Sequence, residues 1–377
     1  MDTPTDKQPA SPQPSVSGVS ASRRYWSVRI LLPVVIGLGV VAWLFHREFS
    51  PEVWRQIHFD WRVVGCIALA WLFMAGRDFG LSWRFRALTD RQLRWGQAIR
   101  VNFLCEFTSA VTPSAVGGSS LGMIFLHSEG VELGRATTLM ITTLFLDELF
   151  FCVSLPVIML VVPYGELFGF SSGHETFSMG LKTVFWIIYA VVFLWTVVLF
   201  VGILVRPHAV RHFLVWLFAL RPLRRWRPQV AALGDNMVAT SHELRNRSWR
   251  WWGEAFLGTA LSWSSRYLVV NALFLGFAPH ADQLVVFARQ FVIWVVLMIS
   301  PTPGGSGVSE WLFTEYYGDM ITPGIALVMA LFWRIISYYV YLIVGACLLP
   351  GFLRRVFGHK TPSLSAGNAG LSDQSKK

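Results

Sequence analysis

Two short stretches carry the residues best suited to chemistry. The first reads Thr112-Pro113-Ser114-Ala115-Val116-Gly117-Gly118-Ser119-Ser120, the second Ser300-Pro301-Thr302-Pro303-Gly304-Gly305-Ser306-Gly307. Proline removes a backbone donor and ends a helix, and paired glycines allow a sharp turn. A helix restarting near Ser119 or Ser306 presents free N–H groups and the positive end of its dipole, which suits an anion such as a lipid phosphate. The candidate ligand-binding residues are therefore Pro113, Gly117, Gly118, Ser119, Pro301, Pro303, Gly304, Gly305, Ser306, Gly307 and, one turn on, Glu310.

Ionisable residues within or near apolar stretches are the second signal: Arg77, Asp78, Glu106, Asp147, Glu148, Arg266, Arg289, Glu310 and Arg334. A charge at the centre of a bilayer costs at least ~2.5–3.5 kcal/mol, so each needs a partner or water. Arg77, Glu106, Asp147, Glu148, Arg266 and Arg334 are read as an intramembrane charge network. Its arginines suit a phosphate, and Asp147 and Glu148 suit a cationic headgroup or a transported proton. Ion pairs that only fix helix register are the plainer alternative.

The elements that must position these residues follow from composition. Hydrophobic residues make up 54% of the 377 and charged residues 14%, too little charge to cover a soluble surface of this length. The excess must face lipid, and the 18 tryptophans suit the headgroup layer. Apolar runs at 29–45, 61–81, 136–163, 181–205, 254–276 and 322–349 are expected to span. The arginines of 82–97 and the nine between Arg206 and Arg250 mark cytoplasmic segments; 164–180 and 277–283 lack basic residues and face outward. Two further runs, 98–127 and 284–320, then each begin and end on one side. About 40 residues are needed for two crossings, so each is expected to be a re-entrant hairpin.

The expected fold is therefore all-α and polytopic, with about six spanning helices and two re-entrant hairpins. Repeat 1 (about 61–163) and repeat 2 (about 254–349) form an inverted repeat, the pattern that places transporter sites near the midplane. Arg77 and Arg266 hold matching places before the hairpins, and Leu144-Phe145-Leu146-Asp147 can be laid over Leu331-Phe332-Trp333-Arg334. Residues 1–22 form a polar N-terminal arm. Residues 23–352 form the membrane domain, 206–250 its basic linker and 353–377 a C-terminal tail, with both termini cytoplasmic. Segment 207–228, mixing Trp216, Phe213 and Phe218 with arginines, suits a helix lying on an anionic leaflet.

Several classes are excluded. The basic residues fall in loops between apolar runs and not in a nucleic-acid groove. The sequence holds no phosphate-binding Walker motif, no Gly-x-Ser-x-Gly elbow and no Cys/His cluster, so no cofactor or metal is expected. Cys66, Cys105, Cys152 and Cys347 read as small core residues.

The first hairpin motif, the following Gly130-x-x-x-Gly134-Arg135-Ala136, and Pro301-Thr302-Pro303-Gly304-Gly305-Ser306-Gly307-x-x-Glu310 resemble the lysylphosphatidylglycerol synthase transmembrane, or flippase-like, family over about residues 25–350. The resemblance implies a bacterial or archaeal plasma membrane and translocation of an aminoacylated phospholipid. Members that synthesise the lipid carry a soluble aminoacyltransferase domain after the membrane part. Only residues 351–377 follow here, so synthase activity is not expected. Many members also have a Glu-Arg pair where this chain has Asp147-Glu148, which separates its headgroup preference from theirs.

The functional expectation is flippase-like translocation or binding of an anionic phospholipid or lipid-linked headgroup at the two hairpin tips. A membrane-embedded transferase with Glu310 or Asp147 as base, and a non-transporting envelope scaffold, are the alternatives. The partners expected are a membrane lipid and, as open options, a second copy or an envelope protein.

Overall fold

The computed structural model describes residues 60–112, 116–168, 175–219, 224, 227–300, 302 and 304–357, and among them every regular element is helical. In chain order they are α1 (Trp61–Leu88), α2 (Trp95–Val111), α3 (Val116–Ser128), α4 (Leu133–Val161) and α5 (Tyr164–Phe168). Next come α6 (Glu175–Phe200, ending in a π-helical turn Val201–Val205), α7 (Pro207–Leu217) and α8 (Arg227–Leu244). The second half holds α9 (Trp249–Phe277), α10 (Gln283–Leu297), α11 (Val308–Tyr316), α12 (Pro323–Arg334, with a π-helical turn Ile335–Tyr339) and α13 (Val340–Phe357).

Local chemistry sets several starts. The Asp60 carboxylate accepts from the Val63 N–H at 3.0 Å, the Ser248 hydroxyl from Trp251 at 3.3 Å, and Asp282 from Leu284 at 2.8 Å. Each satisfies a donor that the first turn of a helix leaves unpaired. These caps open α1, α9 and α10.

Four described helices are long and apolar enough to cross a membrane: Trp61–Leu88, Leu133–Val161, Met179–Val205 and Gly324–Leu353. They match the expected spans at 61–81, 136–163, 181–205 and 322–349. The expected span at 29–45 lies outside the described residues. At 254–276 the helix is present and 29 residues long, but it is not among the four. It carries polar residues on the side it buries: Thr259, Ser262, Ser265 and Asn271 are each at most 5% exposed. Thr259, Ser262 and Ser265 pack on α1, and Asn271 donates to Gln283 at the start of α10.

One boundary differs from the expectation. α1 does not end near residue 81 but continues to Leu88, so Arg84 and Arg86 belong to the helix and not to the loop expected at 82–97. Arg84 is 4% exposed because Asp147 pairs with it; a buried, neutralised arginine does not stop a helix or mark its end.

Helices α1 and α9 cross with their backbones touching. A methyl group on Gly80 would lie 2.7 Å from the Gly258 carbonyl oxygen, and one on Gly258 would lie 2.9 Å from that of Gly80. Close approach at small residues is a common means of association where lipid offers no hydrophobic drive. Around this central pair sit two broken helix pairs, α2–α3 and α10–α11. The incoming limbs have 17 and 15 residues, or about 26 and 22 Å at ~1.5 Å per residue, short of a ~30 Å hydrocarbon core. Two large core clusters each draw on both halves of the chain, and a third, small cluster of Phe107, Ala110, Tyr338 and Leu342 joins the end of α2 to α12–α13. Helix α7 follows α6 after one bent residue, Arg206, burying Val210 and Leu214 while Phe213 and Trp216 stay exposed.

Candidate functional site

A cavity of about 300 Å³ lies where the two broken pairs meet the α1–α9 crossing. Thr112, at the break of the first pair, and Ser300, Thr302, Gly304 and Gly305, at the break of the second, all line it. So do Arg77, Arg84, Glu106, Asp147, Glu148, Arg266 and Arg334. Four arginines and three carboxylates therefore meet in one recess otherwise walled by apolar side chains. Every residue of the expected charge network lies here.

The charges are tied unequally. Arg77, fully buried, pairs with Asp78 at 2.8 Å and with Glu106. Asp78 in turn accepts from Tyr341 at 2.7 Å and Asn102 at 3.0 Å. Arg84 donates to Asp147 at 2.5 Å and to the Thr259 hydroxyl at 3.1 Å, while Asp147 also accepts from the Trp263 indole at 2.9 Å. These pairs join α1 to α2, α4 and α9, and their hydrogen bonds offset the desolvation of each charge.

Within the network, Arg266 and Glu148 have the fewest partners. Arg266 gives one hydrogen bond, from Nη2 to Glu106 at 3.2 Å, and its guanidinium lies over Trp263 and Trp294 at 5.0 and 4.5 Å from the ring centroids. That stacking fixes its plane and leaves most of its donors turned to the cavity. Glu148 has a buried Oε2 with no hydrogen-bond partner among the described residues. A buried acceptor without a donor is costly, and a ligand that brings one is favoured.

The second break is closed on itself. Gly304, Gly305 and Gly307 adopt φ angles of 58°, 70° and 87°, open to glycine and strained for other residues. Helix α11 starts at Val308 with Gly307 as its N-cap, one residue after Ser306, and its first free donor is already used. Glu310 Oε2 accepts from the Gly307 N–H at 2.7 Å and from the Ser309 hydroxyl at 2.8 Å, while Oε1 pairs with Arg334 Nε at 2.8 Å. Arg334 also donates to Ser306 Oγ at 2.9 Å and to the Gly304 carbonyl at 3.1 Å, and stacks on Tyr338 at 3.8 Å. The anion at this helix start is therefore the chain's own Glu310. Neither Ser306, Gly307 nor Glu310 lines the cavity.

The other expected site residues separate as follows. Gly117, Gly118 and Ser119 fall within the first turns of α3, which begins at Val116. Pro113, Pro301 and Pro303 lie outside the described residues. Arg289 sits away from the cavity, at 2.7 Å from Asp319 and 2.8 Å from the Tyr316 carbonyl.

Reading the sequence missed Arg84, Trp263 and Trp294. Arg84 lies seven residues after Arg77, which is two helical turns, so both arginines lie on one face. That spacing is a usable signal, masked by counting Arg84 among loop charges. A second missed feature is a clamp shared by the two broken pairs. Arg100, in the first half of α2, binds Glu129 through two 3.0 Å hydrogen bonds, 29 residues on; Arg289, near the middle of α10, binds Asp319, 30 residues on.

With this geometry in place, residues 30–345 match the lysylphosphatidylglycerol synthase TM region. The chain belongs to that family. A relative of the same kind, a UPF0104 membrane protein of Archaeoglobus fulgidus, is 21% identical over 333 residues, covering 84% of this chain and 94% of the relative. No solved structure matches the chain significantly. The family's name ties this multi-pass helical membrane protein to a lipid-related role, and the match spans the cavity and both breaks.

Proposed function

We propose that the protein binds the headgroup of an anionic phospholipid or lipid-linked molecule between its two broken helix pairs and moves that lipid between leaflets. The observation that carries this reading is the cavity itself, which holds Arg266 with uncommitted donors and Glu148 with an uncommitted acceptor between the two breaks. The phosphate would lie on Arg266, backed by Trp263 and Trp294. A hydroxyl or ammonium group of the ligand would satisfy Glu148. Unwound backbone at membrane depth is tolerated only where it lines a wet cavity or is buried in protein, and Thr302, Gly304 and Gly305 fit that condition.

The limbs shorter than a bilayer core and the equivalent arginine–acid clamps support reading α1–α4 and α9–α13 as an inverted repeat with two re-entrant hairpins. In that arrangement the α1–α9 crossing is the axis about which one repeat rocks against the other. Membrane insertion with the arginine-rich turns and both termini on the cytoplasmic face completes the proposal.

Lipid scrambling by purified protein in liposomes tests it, using fluorescent anionic and aminoacylated phospholipids with a membrane-impermeant quencher. Wild-type protein should scramble at least one of these, and Arg266→Gln should lose most of that activity while remaining folded. Folded wild-type protein that scrambles neither would overturn the transport reading.

A further inference from the structure

Two consecutive non-glycine residues, Asp90 and Arg91, hold positive φ angles of 52° and 62° in the turn that ends α1. Glycine would adopt this backbone without strain, so the side chains themselves need a reason to be there. Asp90 has one. It accepts from Arg135 at 2.6 Å and Arg247 at 2.9 Å, tying the turn to the starts of α4 and α9. Arg91 has no comparable partner: its side chain is 72% exposed and reaches Glu254 only at 3.7 Å.

Arg91 instead borders a separate recess of about 240 Å³, lined also by Trp83, Arg86, Trp95 and Glu254. Arg86 lies over the Trp95 ring at 4.3 Å and donates Nε to the Leu93 carbonyl at 3.0 Å, which leaves its two Nη groups without a partner among the described residues. Phe79, half exposed, stacks on Trp95 at 5.2 Å and extends the apolar surface along α1. Two residues along a helix are about 200° apart, so Arg84 points into the central cavity while Arg86 points to the outer wall. The recess shares no residue with that cavity.

We propose that this recess is a second lipid site, holding the headgroup of a phospholipid of the leaflet at the arginine-rich end of the protein. The phosphate sits between Arg86 and Arg91. Glu254 takes a hydroxyl or ammonium donor of the same headgroup, and the acyl chains run along Phe79 and Trp83. Aromatic rings at headgroup depth and basic side chains facing an anionic surface are both favoured there. The lipid at this site is bound from the outside and does not enter the cavity, so the inference stands independently of transport.

Native mass spectrometry of the full chain, released from detergent with titrated lipid, tests it. The lipids are phosphatidylglycerol and phosphatidylethanolamine, whose headgroups carry donors, and phosphatidylcholine, whose headgroup carries none. Wild-type protein should retain the first two in preference to the third. Arg91→Gly, which suits the backbone angle, should retain them about fivefold less, the loss expected for one basic residue at a membrane surface. Its melting temperature should be unchanged or higher. Arg86→Gln should lower retention by a similar factor. Equal retention by wild type and both variants would overturn the proposal, as would a lower melting temperature for Arg91→Gly, which would make Arg91 a structural side chain. Displacement of the lipid by millimolar inorganic phosphate would reassign the recess to a soluble anion and overturn the lipid assignment.

Discussion

The two broken helix pairs are built alike and charged alike, yet they dispose of their charges differently. Around the second break, Glu310 and Arg334 form an ion pair and hydrogen-bond to Gly304, Ser306, Gly307 and Ser309, and Glu310 does not line the cavity. Beside the first pair, Glu106 and Asp147 are held by Arg77 and Arg84, while Arg266 and Glu148 keep valences facing the cavity. One break is bolted and the other side of the recess is left open. Buried charge in a membrane is therefore not by itself a sign of binding. The two regions differ in how many partners inside the protein each charge has.

The strongest way to break this contrast is at the bolt. Glu310→Leu strands Arg334 as an unpaired buried cation and removes the cap of α11, so it should cost about 3–5 kcal/mol, read as a large fall in melting temperature in detergent. Adding Arg334→Met should recover part of that loss, because no unpaired charge remains. Intact stability in Glu310→Leu would end the distinction. Gly304→Ala attacks the same loop sterically. Its methyl group would overlap the Tyr338 ring at a positive φ, and a loss of about 1–3 kcal/mol in the same assay is expected.

The open side predicts the opposite signature. Arg266→Gln leaves Glu106 paired with Arg77, so its melting temperature should hardly change while lipid scrambling falls about tenfold or more, a loss of at least ~1.4 kcal/mol of interaction. An equal loss of stability and activity would place Arg266 with the structural charges. The smallest effect is expected at the exposed hub. Asp90→Asn weakens pairs with Arg135 and Arg247 whose side chains are a fifth or more exposed, and should cost no more than ~1 kcal/mol, diminishing as salt is raised.

Much of this organisation was legible in the chain. Apolar length located α4, α6 and α12–α13, and Pro/Gly content located both interruptions. Arg289, one of the nine charges within or near apolar stretches, holds Asp319 from the middle of α10, and Arg84, counted as a loop charge, lines the cavity. The sequence reports that a charge is present but not which acid faces it from 63 residues away, the separation of Arg84 and Asp147. The start of α11 falls near Ser306 as expected, with Gly307 at the N-cap, where its positive φ and the reach of Glu310 set the first residue at Val308.

By itself the sequence determined the helical, membrane-spanning class, because apolar length and charge in loops are properties of single segments and need no partner. Combined Pro/Gly clusters also located the two interruptions, whereas the single prolines Pro156 and Pro350 lie inside α4 and α13 without ending them. Only the tertiary structure decided which charges cancel and which remain free. That outcome depends on pairings across α1, α2, α4, α9 and α12, made at distances of a few ångströms between residues far apart in the chain.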